Sequence, residues 1–278
     1  MVNIMKLKTV YSIALTTALV AGSTSTMAAL FDFTVDPDAS SPATNFVADK
    51  ITGNYAETID LNLNGTFNAS IKWQAGQFVG NDGIDPVLPG TSRLGVDYSL
   101  YGLYVGSGTF STVAGITSFI FNSSMLELYF DDNLDTTFTD PGAGNATSQW
   151  TTGNTTDDKL LASGTFTGPS NASSNGGILD GTCSGANCGS FGVTNTFSLT
   201  DNTVDPLING EKFFIDPRPF YNVTLASGQF NAFDAIPGTT QKANGSADFI
   251  FTNVPEPTTL MLMGLGLLGF GVKSRKKA

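Results

Sequence analysis

The chain has 278 residues, among them 13 Lys and Arg, 24 Asp and Glu, two Cys and no His. Without His it has no Ser-His-Asp or Cys-His nucleophile, no His-ligated zinc site and no imidazole that titrates near neutral pH. Between residues 29 and 253, seven basic residues stand against 23 acidic ones. This net charge of −16 repels phosphate backbones and argues against nucleic acid as a partner.

The first 28 residues have the pattern of a signal peptide. Lys6 and Lys8 precede an apolar run at residues 10–21, and small residues follow it up to Thr26-Met27-Ala28. A basic start, an apolar run of about a dozen residues and a small-x-Ala exit are typical of Sec export, with cleavage after Ala28 and Ala29 as the alternative. The run is too short to cross ~30 Å of hydrocarbon as a permanent helix.

Residues 29–253 are predicted to form one all-β domain. Apolar side chains recur at odd positions from Tyr55 to Leu63 and again from Phe67 to Trp73. A period of two over eight or nine residues indicates half-buried strands. About ten such segments predict a single β-sandwich, with a jelly roll as one topology that fits, and with long polar loops at residues 141–156 and 169–189. The other predicted strands lie at residues 31–35, 94–105, 118–121, 126–130, 159–166, 193–199, 213–215, 221–230 and 247–253.

The connection between the first two alternating strands is constrained by parity. Residues that pair across antiparallel strands share a face of the sheet. A two-residue turn at Asn64-Gly65 would pair Leu63 with Thr66 and place the two apolar rows on opposite faces. We therefore expect either a loop of three or five residues, which aligns the rows, or strands that belong to different sheets.

An acidic motif downstream is a candidate calcium site. Asp131, Asn133 and Asp135 offer oxygen ligands at alternate positions, like positions 1, 3 and 5 of an EF-hand loop. Thr136 stands where that loop has Gly, and Gly142 stands where it has a bidentate Glu. Calcium would bind with a Kd on the order of 10⁻⁴–10⁻³ M, as in extracellular modules. The alternative is an Asp- and Asn-rich turn whose side chains cap their own backbone.

The two cysteines, Cys183 and Cys188, enclose four residues in a predicted loop. In an exported protein an even number of cysteines favours a disulfide. So small a closed loop adds ~2 kcal/mol of stability at most. A redox-active pair is the alternative, although its usual spacing is Cys-x-x-Cys.

The C-terminus has three parts in a fixed order. Pro255-Glu256-Pro257 comes first, an apolar run follows at residues 260–272, and the tail from Lys273 to Lys277 is basic. At 1.5 Å per residue the run spans roughly 20 Å as a helix, which is short for a bilayer. Cations after such a run favour a cytoplasmic end, so the body would be held outside by a short tether.

These three parts resemble the PEP-CTERM sorting signal of Gram-negative bacteria, whose motif Pro255, Glu256 and Pro257 carry. The resemblance implies processing by an exosortase, an integral-membrane, transpeptidase-like enzyme of organisms that make exopolysaccharide. It also implies a short transmembrane helix that tethers the chain to the inner membrane before processing. The body, with LGVDYSLYGLY and FDDNLDTTF, is similar to the flocculation-associated PEP-CTERM proteins. The predicted regions are a signal peptide (1–28), a β-sandwich domain (29–253) and a sorting signal (254–278).

These features predict an exported, non-catalytic protein of the cell surface or extracellular matrix, acting with exopolysaccharide in flocculation or biofilm formation. A carbohydrate-binding module is the alternative, because aromatic side chains stack on sugar rings, although aromatics in alternating strands usually form the core. A secreted glycosidase with paired carboxylates is a third hypothesis, which no Glu-centred signature supports. No catalytic residue is predicted. The candidate stacking residues are Tyr98, Tyr101, Tyr104 and Trp150.

Overall fold

The computed structural model describes residues 30–37, 45–168, 175–180, 189–201, 209–216, 222–230 and 235–252. Most of these residues form β-strands, and the helices are two single turns, so the predicted all-β class is confirmed. The elements are β1 (Phe33–Val35), β2 (Phe46–Ala48), β3 (Lys50–Leu61), β4 (Thr66–Gly80), β5 (Asp85–Pro86), α1 (Pro89–Ser92), β6 (Ser99–Val113), β7 (Ile116–Asp131), β8 (Thr137–Thr139), β9 (Thr151–Gly153), β10 (Lys159–Thr165), β11 (Gly176–Asp180), β12 (Gly189–Thr196), β13 (Ser198–Leu199), α2 (Gly210–Phe213), β14 (Phe214–Asp216), β15 (Asn222–Phe230) and β16 (Thr239–Thr252).

Eight strands of the main sheet close into a ring. Neighbouring strands follow the order β11-β12-β15-β16-β3-β4-β6-β7, and β11 pairs with β7 as well as with β12. A β-sandwich instead consists of two separate sheets packed face to face. The predicted sandwich and jelly-roll arrangements are therefore not observed in the described residues, because the hydrogen-bonded ladder is continuous.

The strand that closes the ring lies where the sequence predicts a long loop. β11 has five residues, begins with Gly176 and Gly177, and falls inside the predicted loop at residues 169–189. Glycine is depleted in strands, and five residues are too few to display a convincing period of two. The long strands were therefore predictable, whereas the short strand that joins β7 to β12 was not.

The hairpin between β3 and β4 confirms the parity argument. Leu61 lies opposite Phe67, and the backbone N–H of Asn62 donates to the carbonyl oxygen of Thr66 at 2.8 Å. Asn62 and Thr66 therefore enclose a loop of three residues, which ends at Gly65, whose φ of +79° suits glycine. The odd loop length places the apolar rows of both strands on the inner face of the ring.

Aromatic side chains fill the interior of the ring, and glycines next to them leave the space that their rings occupy. A Cβ atom at Gly53 would lie 2.7 Å from the indole of Trp73, and one at Gly102 would lie 3.2 Å from the ring of Phe249. The indole N–H of Trp73 donates to the carbonyl oxygen of Ala247 at 2.9 Å, so this buried polar group is satisfied. The interior also holds Tyr55, Phe67, Tyr104, Phe119 and Phe121, and the partly buried Phe191 packs against this core.

The segment between β7 and β10 lies over the outer face of the ring. Asp60 on β3 anchors it, because its carboxylate accepts hydrogen bonds from the backbone N–H groups of Gly144 (3.0 Å) and Ala146 (2.8 Å). The hydroxyl of Thr240 donates a third hydrogen bond to Asp60 at 2.5 Å. Lys242 forms an ion pair with Asp140 in the same segment. These contacts hold the acidic motif against the sheet.

Candidate functional site

Asp131 ends β7, and its carboxylate organises the turn that follows. Oδ1 accepts hydrogen bonds from the backbone N–H groups of Asn133 (3.3 Å) and Leu134 (2.9 Å). Oδ2 accepts from the N–H of Thr136 at 3.3 Å and from the hydroxyl of Ser99 at 3.0 Å. The acidic motif thus forms the capped turn that the sequence offered as the alternative to a calcium loop, and the two can coexist.

Three carboxylates converge beside this turn. Asp131, Asp135 and Asp157 each place one oxygen within 4.8 Å of the others. Since calcium–oxygen distances are about 2.3–2.6 Å, two ligand oxygens on one ion lie at most ~5 Å apart, so the spacing fits a calcium ion. Oδ2 of Asp157 is buried and has no hydrogen-bond partner. The three groups could hold a divalent cation through oxygen ligands.

The structure places Asp131 and Asp135, two of the predicted calcium ligands, within reach of one ion. The side-chain oxygen of Asn133 accepts a hydrogen bond from the backbone N–H of Asp135 at 3.2 Å, so it caps the turn. Asp157, which the sequence analysis did not select, supplies the third carboxylate. Its one sequence signal was the acidic pair Asp157-Asp158 immediately before β10. Calcium binding stays a prediction, with Asp157 as an added candidate ligand.

A fourth carboxylate, Asp158, lies next to this cluster. Burial raises its pKa above the ordinary range, and the negative charges of Asp131 and Asp157 raise it further. Hydrogen bonds from the hydroxyls of Tyr101 (2.5 Å) and Thr136 (3.0 Å) oppose the rise. A cation at the cluster would relieve the repulsion among these carboxylates.

The candidate sugar-stacking tyrosines belong to the core. Tyr98 and Tyr104 are buried inside the ring, and Tyr101 is buried on the outer face against Tyr129 at a ring-centroid distance of 5.0 Å. Trp150 is half-buried, so part of its ring stays accessible. The core interpretation of the tyrosines is therefore confirmed, and only Trp150 keeps surface for stacking on a sugar.

An uncharged groove of about 360 Å³ opens on the outer face, close to Trp150. Asn68 lies in this groove on β4, two residues from Ser70, whose carbonyl oxygen accepts a 3.2 Å hydrogen bond from the Trp150 indole. Hydroxyl and amide groups line the groove together with two apolar side chains, those of Val105 and Met125. The lining residues are Asn68, Val105, Gly106, Ser107, Ser123, Ser124, Met125 and Thr147.

One acidic side chain, Glu57, faces the interior of the ring. It lies opposite Ile71 on β4 and Ala243 on β16 and borders a cavity of about 30 Å³. Burial alone raises its pKa from 4.5 to about 7. Glu57 was not among the predicted site residues, although its acid stands at an odd position of the apolar row from Tyr55 to Leu63.

Several predicted features lie outside the described residues. They are the signal peptide at residues 1–28, the cysteines Cys183 and Cys188, and the C-terminal motif Pro255-Glu256-Pro257 with the apolar run after it. The disulfide and the transmembrane segment therefore stay predictions. Neither of the short helices in the described ranges has the length and apolar character needed to span a membrane.

Comparison with known proteins identifies the C-terminal segment. The family model of the PEP-CTERM protein-sorting motif matches residues 253–276, which confirms the resemblance predicted for this segment and indicates an exported protein that an exosortase processes. None of the curated proteins compared with the chain matches it. Among solved structures, Ail, the attachment invasion locus protein of Yersinia pestis, is 8% identical and is matched over 73% of this chain and 95% of that chain. The TM-score of 0.17 is too low for this likeness to carry an argument.

Proposed function

We propose that this chain, a PEP-CTERM protein by the motif at residues 253–276, is a non-catalytic component of the cell surface or extracellular matrix. It is exported through the Sec route of a Gram-negative cell, cut by an exosortase, and retained by exopolysaccharide, where it acts in flocculation or biofilm formation. The sorting motif is the observation that carries this proposal. The absence of His from the whole sequence supports a non-catalytic role, because it removes the commonest general base.

The sorting step can be tested with a matched pair of variants. The chain contains a second Pro-x-Pro sequence, Pro217-Arg218-Pro219, which serves as the control. Replacement of Pro255 and Pro257 by Ala should leave the unprocessed chain in the membrane fraction, while the same changes at Pro217 and Pro219 should not affect processing. Electrophoresis of membrane and medium fractions measures both. Normal release of the Pro255→Ala, Pro257→Ala variant would contradict exosortase processing.

Retention by the matrix is proposed to depend on divalent cations when the polymer is anionic. The body carries a net charge of −16, so direct contact with an anionic polysaccharide is opposed by repulsion. Divalent cations bridge carboxylates on the protein to acidic groups of the polymer. Chelation with EDTA should release the protein from intact cells, and re-addition of calcium should return it. Retention that ignores the chelator would contradict bridging.

A carbohydrate-binding module is the second candidate, and the uncharged groove on the outer face favours it. Hydroxyl and amide groups beside the apolar side chains of Val105 and Met125 suit a neutral sugar, and Trp150 offers a ring nearby. Pull-down with the host polymer tests this: Trp150→Ala and Asn68→Ala should weaken binding, whereas Gln77→Ala, an exposed change elsewhere on β4, should not. Equal binding by all three variants would contradict a sugar site in this groove.

A further inference from the structure

Glu57 is an acid buried in the interior without a compensating charge. Its side chain is about nine-tenths buried and forms no hydrogen bond or ion pair with a described residue. The other residues that border its cavity are apolar, so no described charge faces it from β4, β7, β11 or β12. The cavity is lined by Glu57, Ile59, Phe67, Ile71, Phe119, Phe121, Gly177 and Phe191.

Two tyrosine hydroxyls are also left without partners in this interior. Tyr55 is on the same strand as Glu57, and Tyr104 is on β6, opposite Ile71, which itself lies opposite Glu57. The hydroxyl oxygens of both tyrosines are buried, and neither has a hydrogen-bond partner. Burial and the charge of Glu57 raise the pKa of both phenols, so they stay neutral at physiological pH.

The nearest polar side chains do not compensate for Glu57. The hydroxyl of Ser227, near Tyr55, donates to the carbonyl oxygen of Ser246 at 2.5 Å. The hydroxyl of Ser124, near Tyr104, donates to the side-chain oxygen of Asn195. Each serine hydroxyl therefore donates to another acceptor and not to Glu57. The cavity has room for one or two water molecules, too few to hydrate a carboxylate fully.

The cavity lies against the shortest strand of the ring. Gly177 of β11 forms part of its wall. β11 has five residues, whereas β3, which carries Glu57, has 12. Side chains at Gly176 and Gly177 are absent, so β11 contributes little packing there. Glu57 keeps an exposed fraction of 9%, so some water already reaches it, and the contacts of β11 with β7 and β12 are the weakest place for more water to enter.

We propose that Glu57 is a proton-dependent switch of the closed sheet. With the carboxyl group protonated, the interior is neutral and β11 stays paired with both neighbours. With the carboxylate ionised, an uncompensated charge sits among phenylalanine rings, and water enters beside Gly177 to solvate it. The pairing of β11 with β7 and β12 then loosens, while the long β3–β4 and β4–β6 ladders persist.

The switch operates in the pH range that an exported protein meets. The pKa of about 7 places the change near neutrality. The chain contains no His, so no imidazole titrates in the same range. Tyr55 and Tyr104 are the titratable groups that face Glu57. Their pKa values are raised, so neither phenol loses its proton in this pH range.

Hydrogen exchange on the full chain tests the proposal. Backbone amides of residues 176–180 and 189–192 are compared with reference amides in residues 67–73, in buffers from pH 5 to pH 8.5. After correction for intrinsic rates, protection of the β11 amides should fall with rising pH, while the reference amides should change little. Between pH 5 and pH 8.5 the opening equilibrium should increase by about 70-fold, as a carboxyl group with a pKa of about 7 in the closed ring and 4.5 in the open one requires.

Glu57→Gln and Asp85→Asn are the matched variants. Asp85 is an exposed carboxylate, so Asp85→Asn should retain the pH dependence, whereas Glu57→Gln should abolish it. Equal pH dependence in Glu57→Gln and the unaltered chain overturns the proposal. Should Glu57→Gln not fold, infrared spectroscopy of the unaltered chain decides instead. A protonated-carboxyl band that disappears near pH 7 supports the switch, and its absence at pH 5 overturns it.

Discussion

Glu57 and Asp60 are three residues apart on β3, yet the structure treats their carboxylates in opposite ways. Both are buried, with exposed fractions of 9% and 8%. Asp60 faces outward and accepts three hydrogen bonds from residues 144, 146 and 240. Glu57 faces inward and accepts none from a described residue. Burial alone therefore does not decide what an acid does: Asp60 fastens the outer segment to the sheet, whereas Glu57 makes the interior sensitive to protons.

Removal of the Asp60 side chain should produce the largest effect. Asp60→Ala leaves the buried N–H of Ala146 without an acceptor and the N–H of Gly144 with only the hydroxyl of Thr240, and an orphaned buried donor costs about 1–3 kcal/mol. We expect the free energy of unfolding to fall by roughly 3–5 kcal/mol. Denaturant unfolding measures it. Asp60→Asn, which keeps one acceptor oxygen, should lose less, and equal losses would contradict the anchoring role.

Replacement of Glu57 should act in the opposite direction. The folded state binds a proton up to about pH 7, whereas the unfolded state releases it near pH 4.5, so stability falls as pH rises between these values. Glu57→Gln should remove that loss and be more stable than the unaltered chain by about 3 kcal/mol at pH 8. Chemical unfolding at pH 5 and pH 8 measures the difference. A destabilising effect of Glu57→Gln at pH 8 would contradict an uncompensated carboxylate.

Calcium should stabilise the protein through the outer carboxylates of Asp131, Asp135 and Asp157 and not through the inner carboxylate of Glu57. With a Kd of 10⁻⁴–10⁻³ M, 10 mM calcium would stabilise the folded state by about 1.4–2.7 kcal/mol. Asp157→Asn should abolish this stabilisation, whereas Asp132→Asn, an exposed neighbour outside the cluster, should preserve it. Thermal unfolding with and without calcium measures the effect. Asn133→Ala then decides between the two ligand sets, because only the sequence-based set requires the Asn133 side chain.

Two buried tyrosines allow a comparison between a hydroxyl group that has a hydrogen-bond partner and one that has none. The hydroxyl of Tyr98 donates to the carbonyl oxygen of Ser92 at 2.8 Å, whereas that of Tyr104 has no partner. Tyr98→Phe should therefore cost about 1 kcal/mol, and Tyr104→Phe should be neutral or slightly stabilising. Parallel unfolding curves at pH 5 give both values. A larger loss from Tyr104→Phe would mean that its hydroxyl is hydrogen-bonded.

The sequence was sufficient to predict the parts of the fold that depend on long alternation. The rows of β3 and β4 show a period of two, and parity alone required the odd loop that ends at Gly65. The predicted segments at residues 118–121 and 126–130 proved to be one strand, β7, because a register shift opposite Ser107 and Gly108 interrupts its alternation. Local patterns thus located strands but did not define where they join.

The ring and both acidic sites depended on contacts between distant segments. β11 is too short and too rich in glycine to be recognised, and without it the ladder has no closure. Asp157 reaches Asp131 and Asp135 because the outer segment folds back on the sheet, which no spacing rule encodes. Glu57 is different, because the sequence alone shows an acid at an odd position within an apolar row.

Intact-mass measurement of the mature protein from its producing cell tests export and C-terminal processing most directly. We expect a species that begins at or near residue 29, ends close to the Pro255-Glu256-Pro257 motif, lacks the basic tail and is found outside the inner membrane. Both cuts then appear in one spectrum. Recovery of the uncut 29.1 kDa chain from the cytoplasm would contradict both export and exosortase processing.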